Sequence, residues 1–207
     1  PDALPLLQDL IRCPSVTPAE AGSLTVLENY LSSAGFVCQR LIFRQEGTPD
    51  VENLFARIGA KGPHLCFAGH TDVVPVGRDA DWSQPPFAAS IVGDMLFGRG
   101  ATDMKGSVAA FATAAVDHIR QHGKPAGSIS FLITCDEEGP AINGTVKVLQ
   151  WMKDNGHVPD HCLVGEPSCT DKLGDTIKIG RRGSLSFEVS VEGRQGHVAY
   201  PNKTDNP

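Results

Sequence analysis

The six cysteines (Cys13, Cys38, Cys66, Cys135, Cys162 and Cys169) contain no C-x-x-C pair, so a thiolate zinc site has no local support. Cys66, Cys135 and Cys162 lie in or beside apolar runs and read as small buried hydrophobes in a reducing cytoplasm. Positive charge is in the minority, with 18 Lys and Arg against 24 Asp and Glu. Those cations are scattered, which removes the electrostatic footprint of a nucleic-acid binder. No apolar run is long enough to cross a bilayer, so no membrane partner is expected. The first residues, "PDALPLLQDLIRCPS", lack a basic stretch followed by an apolar one, so they do not read as a secretory leader. Internal repeats and low-complexity tracts are missing as well. What remains is a globular chain of 207 residues, 41% hydrophobic, enough for one core or for one domain and part of another.

Apolar spacing predicts a helix in "ALPLLQDLIRC" through Leu4, Leu7, Leu10 and Ile11, stopped by Pro14. A second is predicted over 18–35, on Leu24, Leu27, Tyr30 and Leu31, with Gly35 at its end. Strands are expected at 36–43, 53–59 and 64–69. The clearest helix is 105–123, whose apolar face is Val108, Phe111, Ala112, Ala115, Val116 and Ile119. A buried strand at 128–134, a helix at 144–156 and a strand at 161–165 follow. Alternation of helix and buried strand implies an α/β sheet covered on both faces. Beyond residue 175, "TIKIGRRGSLSFEVSVEGRQG" alternates with period two, as antiparallel strands do.

Three of the apolar strands run into polar residues. "HLCFAG" leads to His70 and Asp72, "SISFLIT" to Asp136, Glu137 and Glu138, and "HCLVG" to Glu166. Asp103 stands just before the long helix. Ligands of open α/β sheets bind beyond the carboxyl ends of strands. Singly, each residue reads as a core histidine, a cap or a turn acid. Together they are a set of imidazole and carboxylate donors suited to divalent zinc. Acids crowded without a cation repel one another and lose solvation. Two metals roughly 3.5–4 Å apart that share a carboxylate would neutralise them.

"GHTDVVP", "GRGATDMKG", "CDEEG" and "GEP" resemble the motifs of the di-zinc aminoacylase/carboxypeptidase family. Further stretches ("WSQPPF", "NGTVKVLQWM", "GRRGSLSFEV", "GHVAYP") extend the resemblance over essentially the whole chain. It implies a three-layer α/β catalytic domain with a central mixed, mostly parallel sheet and helices on both faces. We expect this domain over residues 1–180, and the start of an α+β lid or dimerisation domain over 181–207. It also implies roles. His70 and Glu166 would bind one zinc, Glu138 the other, and Asp103 would bridge them. Asp72 would hold the other ring nitrogen of His70. Glu137 would be the general base and acid, taking a proton from the attacking water and returning it to the leaving amine. A cis peptide after Asp103 is implied too. Cobalt or manganese could replace the two zinc ions of each full-length subunit.

The reaction so implied is hydrolysis of N-succinyl-LL-2,6-diaminopimelate to succinate and LL-2,6-diaminopimelate, in lysine and diaminopimelate biosynthesis. Lys178, Arg181, Ser184 and Tyr200 are the expected contacts to this small, multiply carboxylated substrate. His197 would stabilise the developing oxyanion. His197 and Tyr200 resemble residues that reach a neighbouring subunit's site, which implies a homodimer. The family's last zinc ligand, a histidine well beyond residue 207, is absent. One site is therefore expected to be incomplete and the piece weakly active or inactive. Acetylornithine deacetylase and carboxypeptidase-like activities are the nearest alternatives. A non-catalytic metal- or partner-binding module is the alternative of another class.

Overall fold

A computed structural model describes residues 2–180, 183, 185 and 187–205. Arg181 and Ser184 thus lie outside the described residues. Two compact units are present, Pro1–Pro167 and Ser168–Pro207.

In the first unit the apolar runs become a five-stranded sheet of order β1-β2-β6-β3-β7. Its strands are β1 (Val37–Phe43), β2 (Val51–Ile58), β3 (His64–His70), β6 (Ser128–Thr134) and β7 (His161–Val164). β2 pairs antiparallel with both β1 and β6, whereas β3 pairs parallel with β6 and β7. Only β2 therefore runs against the rest, and the sheet is mixed but mostly unidirectional. Two residues per repeat send alternate β6 side chains to opposite faces. Phe131 and Ile133 meet the core built by α1 (Leu4–Arg12), α2 (Ser23–Ser32) and α3 (Gly106–His122). Leu132 meets Phe55, Cys66, Val148 and Met152, the last two from α4 (Thr145–Asp154). Helices thus cover both faces.

Several details depart from expectation. In α1 the buried side chains are Leu6, Leu10 and Ile11, while Leu4 is exposed. α2 begins at Ser23 rather than near Pro18, because Ala21 and Gly22 adopt left-handed backbone (φ 46° and 92°) that a helix cannot include. Upstream, Val16 bridges Val73 in parallel, which ties this loop to the segment after β3. Cys162, expected inside, is exposed: β7 is an edge strand, and all four of its residues are open to solvent. Cys66 and Cys135 are buried as expected, and all six thiols are free. A hairpin not foreseen pairs β4 (Ser90–Val92) with β5 (Met95–Phe97) across Gly93-Asp94. The signal was there, since a Gly-Asp pair between short apolar runs marks a two-residue turn.

Lys105 is the largest departure from polar-outside packing. It is fully buried, and its ammonium donates to the carbonyls of Leu10 (2.9 Å) and Cys13 (2.8 Å) at the end of α1. Burial presses its pKa down to about 8. Lys105→Met would remove this charged donor from both carbonyls, which keep the backbone N–H groups of Cys13 (to Leu10) and Ser15 (to Cys13), at a cost of about 1–3 kcal/mol. Chemical denaturation should show that loss, and a change below about 0.5 kcal/mol would mean that water replaces the ammonium.

In the second unit the expected strands do not form among the described residues. Only a bridge, Arg194 to Asp205, and one helical turn, Pro201–Lys203, are regular. Ile177, Ile179, Phe187, Val189 and Val191 are exposed. Period-two alternation supplies an apolar face, but a strand also needs a hydrogen-bonded neighbour and a covering layer. The described residues of this unit supply neither. No helix among the described residues is long and apolar enough to cross a membrane.

Candidate metal centre

β3, β6 and β7 run parallel, so their carboxyl ends share one edge of the sheet. His70 closes β3, Glu137 and Glu138 follow β6, and Glu166 follows β7. Asp103 joins them from the irregular turn Ala101–Lys105 that leads into α3, where the helix N-terminus favours negative charge. The Asp103–Met104 peptide is cis, as the resemblance implies.

The imidazole of His70 is buried at the centre. Its Nε2 lies 3.2 Å from Asp103 Oδ1, 3.6 Å from Glu166 Oε1 and 3.8 Å from Glu137 Oε2. Two sets of donor atoms each lie within 4.8 Å of one another: His70 with Asp103 and Glu166, and His70 with Glu137 and Glu138. Burial alone would lower the pKa of His70, but hydrogen bonds and charge from Asp72, with the charge of Glu166, lift it to about 9. Glu138 is raised by burial and by the charge of Asp103. Glu166 is raised by burial, an effect that His70 opposes and Asp103 and Glu137 reinforce. Acids held partly toward the neutral form around a neutral-capable imidazole are the donor set that a divalent cation relieves. The residues present therefore fit a metal.

Asp72 is fully buried and works in two ways. Its backbone carbonyl lies 2.9 Å from His70 Nδ1, nearer than its carboxylate at 3.5 Å. A proton on Nδ1 donated to that carbonyl leaves Nε2 free to ligate. The backbone carbonyl of Asp72, rather than the expected carboxylate, is the closer contact to the second ring nitrogen. The carboxylate accepts the amides of Glu137 (3.1 Å) and Glu138 (3.0 Å). One residue thus orients the histidine and holds the Glu137-Glu138 turn. Asp136, the third acid of "DEEG", turns away from the others. Its carboxylate accepts the backbone N–H groups of Ala141, Ile142 and Asn143 and closes the next loop.

Lys178, His197 and Tyr200 are exposed residues of the second unit, where the His197 and Tyr200 ring centroids are 5.6 Å apart.

Sequence reasoning missed the apolar floor of the site. A side chain at Gly69 would meet Met104, and one at Gly165 would meet the Phe67 ring and Met104. These glycines precede His70 and Glu166, and Met104 follows Asp103, so three donor-bearing segments converge on one plug. Phe67 is wedged beside Phe111 (4.6 Å) and Phe131 (6.0 Å) and has little room to move. Gly165→Ala should therefore cost about 1–3 kcal/mol and displace Glu166. Gly69→Ala meets the flexible end of Met104 and should cost less. Zinc titration of both variants checks this, and the ranking fails if Gly165→Ala binds zinc as tightly as the parent.

Helices on both faces of a mixed sheet, with acids and a histidine at the carboxyl ends of its parallel strands, define a metallopeptidase-like α/β domain. Residues 66–207 match the model of peptidase family M20/M25/M40, and the chain belongs to that family. It is 58% identical over 207 residues to the succinyl-diaminopimelate desuccinylase of Bradyrhizobium sp. (strain ORS 278), covering all of this chain and 54% of that protein. It is 59% identical over 207 residues to the protein of the same name from Rhodopseudomonas palustris (strain BisB5), covering 53% of it. The chain therefore spans about half the length of these relatives. Among solved structures it resembles human carnosine dipeptidase 1, with a TM-score of 0.69 at 23% identity over 81% of this chain and 38% of that one. It also resembles the M20 family metallo-carboxypeptidase Sso-CP2 of Sulfolobus solfataricus, with a TM-score of 0.63 at 20% identity over 81% and 38% of the two chains. These two likenesses bear on the fold alone.

Proposed function

We propose that this chain is the metal-binding part of a hydrolase that cleaves N-succinyl-LL-2,6-diaminopimelate to succinate and LL-2,6-diaminopimelate. The observation that carries the reading is the convergence of Asp103, Glu166 and Glu137 within 3.8 Å of His70 Nε2. The names of the 58–59% identical relatives support the choice of substrate. His70, Asp103 and Glu166 would hold one zinc ion, and Glu138 with Asp103 a second, completed by a ligand outside this sequence. When bound, the metal supplies Lewis acidity toward the amide carbonyl. Asp72 keeps the His70 tautomer that leaves Nε2 a donor. Glu137 accepts the proton of the attacking water and delivers it to the leaving nitrogen, a double duty suited to a carboxylate that both reaches solvent and faces the site.

The proposal extends to a cytoplasmic homodimer, with His197 and Tyr200 serving a neighbouring subunit's site and Lys178, Arg181 and Ser184 binding substrate carboxylates. These roles rest on the sequence resemblance.

The experiment is a panel of N-succinyl, N-acetyl and dipeptide substrates, assayed with metal content on a full-length protein that carries this sequence. Preferential cleavage of the succinyl substrate with two zinc ions per chain is expected. Preference for an acetyl amide or a peptide would shift the substrate within the family, and metal without turnover would make the chain a binding module.

A further inference from the structure

A cavity of about 240 Å³ opens beside the acids and is lined by Arg99 together with Asp103 and Glu138. That is below the ~300–1,000 Å³ of pockets for drug-sized ligands and suits a short acyl chain. Arg99 is posed unlike the other arginines near it. Its guanidinium stacks 5.0 Å from the Trp82 ring, whose indole N–H is pinned on the Val76 carbonyl at 2.9 Å. Its backbone N–H is fixed on the Pro86 carbonyl at 2.7 Å. Its only side-chain hydrogen bond among the described residues is a long one, 3.4 Å, from Nη2 to the Pro75 carbonyl. Nε is buried with no hydrogen-bond partner. No carboxylate lies within ion-pair distance of it among the described residues, whereas nearby Arg78 holds Asp81 at 2.9 Å. A guanidinium immobilised on an aromatic face, with donors unspent, is pre-organised for a planar anion. Asp103 and Glu138 line the same cavity, but their charge is committed once a cation sits among them, which leaves Arg99 the free charge.

We propose that Arg99 receives the distal carboxylate of the acyl group and so selects succinyl over acetyl amides. This rests on the hydrolase reading above and deepens it. In a succinyl amide the second carboxylate stands two methylenes beyond the reacting carbonyl, and an acetyl amide has no such group. Removing the guanidinium should therefore be felt by one substrate and not by the other.

The test uses full-length, metal-loaded protein and the N-succinyl and N-acetyl amides of the same amine. Arg99→Gln should lower kcat/KM for the succinyl amide about 30–100-fold, chiefly through KM. The acetyl amide should change by less than about threefold, and Arg99→Lys should recover part of the loss by keeping the charge. An equal fall on both substrates would overturn the proposal and leave Arg99 as a prop for the Trp82 loop; no fall on either would overturn it too. If the parent protein cleaves no succinyl amide, the proposed substrate fails, and Arg99 is judged by calorimetry with free succinate. At least tenfold weaker binding in Arg99→Gln then upholds the anion subsite, and unchanged binding overturns it.

Discussion

Glu137→Gln should remove turnover, by about 10²–10⁴-fold, from a full-length protein carrying this sequence, and leave its metal content intact. The two neighbouring glutamates are set apart by position. Glu138 is raised by burial and by the charge of Asp103, which suits a carboxylate that gives its charge to a cation. The Glu137 carboxylate is about one-third exposed and lies 3.8 Å from His70 Nε2, at the rim of the cluster. An amide has the same shape but neither accepts a proton from water nor returns one to an amine. Fold and donor geometry should survive, because the Glu137 backbone amide is held by Asp72 whatever its side chain. The measurement is metal content together with single-turnover kinetics. Loss of metal along with activity would make Glu137 a ligand, a role that its place in the set with His70 and Glu138 makes a real competitor. Turnover within tenfold of the parent would assign the base elsewhere.

The site was more legible than its surroundings, for a physical reason. His70, the Glu137–Glu138 pair and Glu166 each follow an apolar run, and a strand delivers whatever comes next to the sheet edge, whereas Asp103 comes from the turn before α3. β6 occupies the expected residues 128–134, since its continuous apolar run has no competing reading. Roles inside "DEEG" were not legible. Three adjacent acids look alike in sequence, and only the backbone path sends Asp136 to the amides of 141–143 and Glu137 and Glu138 to the site. Lys105 was hidden for a similar reason: it opens an amphipathic helix, and its burial depends on where α1 ends. Gly69, Gly165 and Met104 carry no chemistry of their own, so their part in setting the distance between His70 and Glu166 appears only once the chain is folded. Beyond residue 175, alternation marked which side chains share a face, but a strand is a property of two segments, and one segment's pattern cannot supply its partner.

Zinc should stabilise the full-length protein strongly, and the effect should cancel His70's share of the pH dependence of the metal-free form. Binding at 100 times Kd adds about 2.7 kcal/mol, enough to move Tm by several degrees. Without metal, the pKa of His70 is raised from 6.5 to about 9 by Asp72 and Glu166. A histidine raised on folding contributes stability that is full below pH 6.5 and is lost as pH climbs toward 9. Its share of apo stability therefore falls over that window. Zinc needs the deprotonated Nε2, so protons compete with it, and apparent affinity through this residue should rise about tenfold per pH unit up to the same limit. Apo and zinc-loaded protein should diverge as pH rises, with the gap in Tm wider at pH 8.5 than at 6.5. Thermal melts with EDTA or excess zinc across this range check it. His70→Ala should remove the zinc shift and its pH dependence together. A zinc shift that survives in His70→Ala would place the ion on the carboxylates alone, and a gap constant with pH would mean that His70 is already neutral in the apo protein.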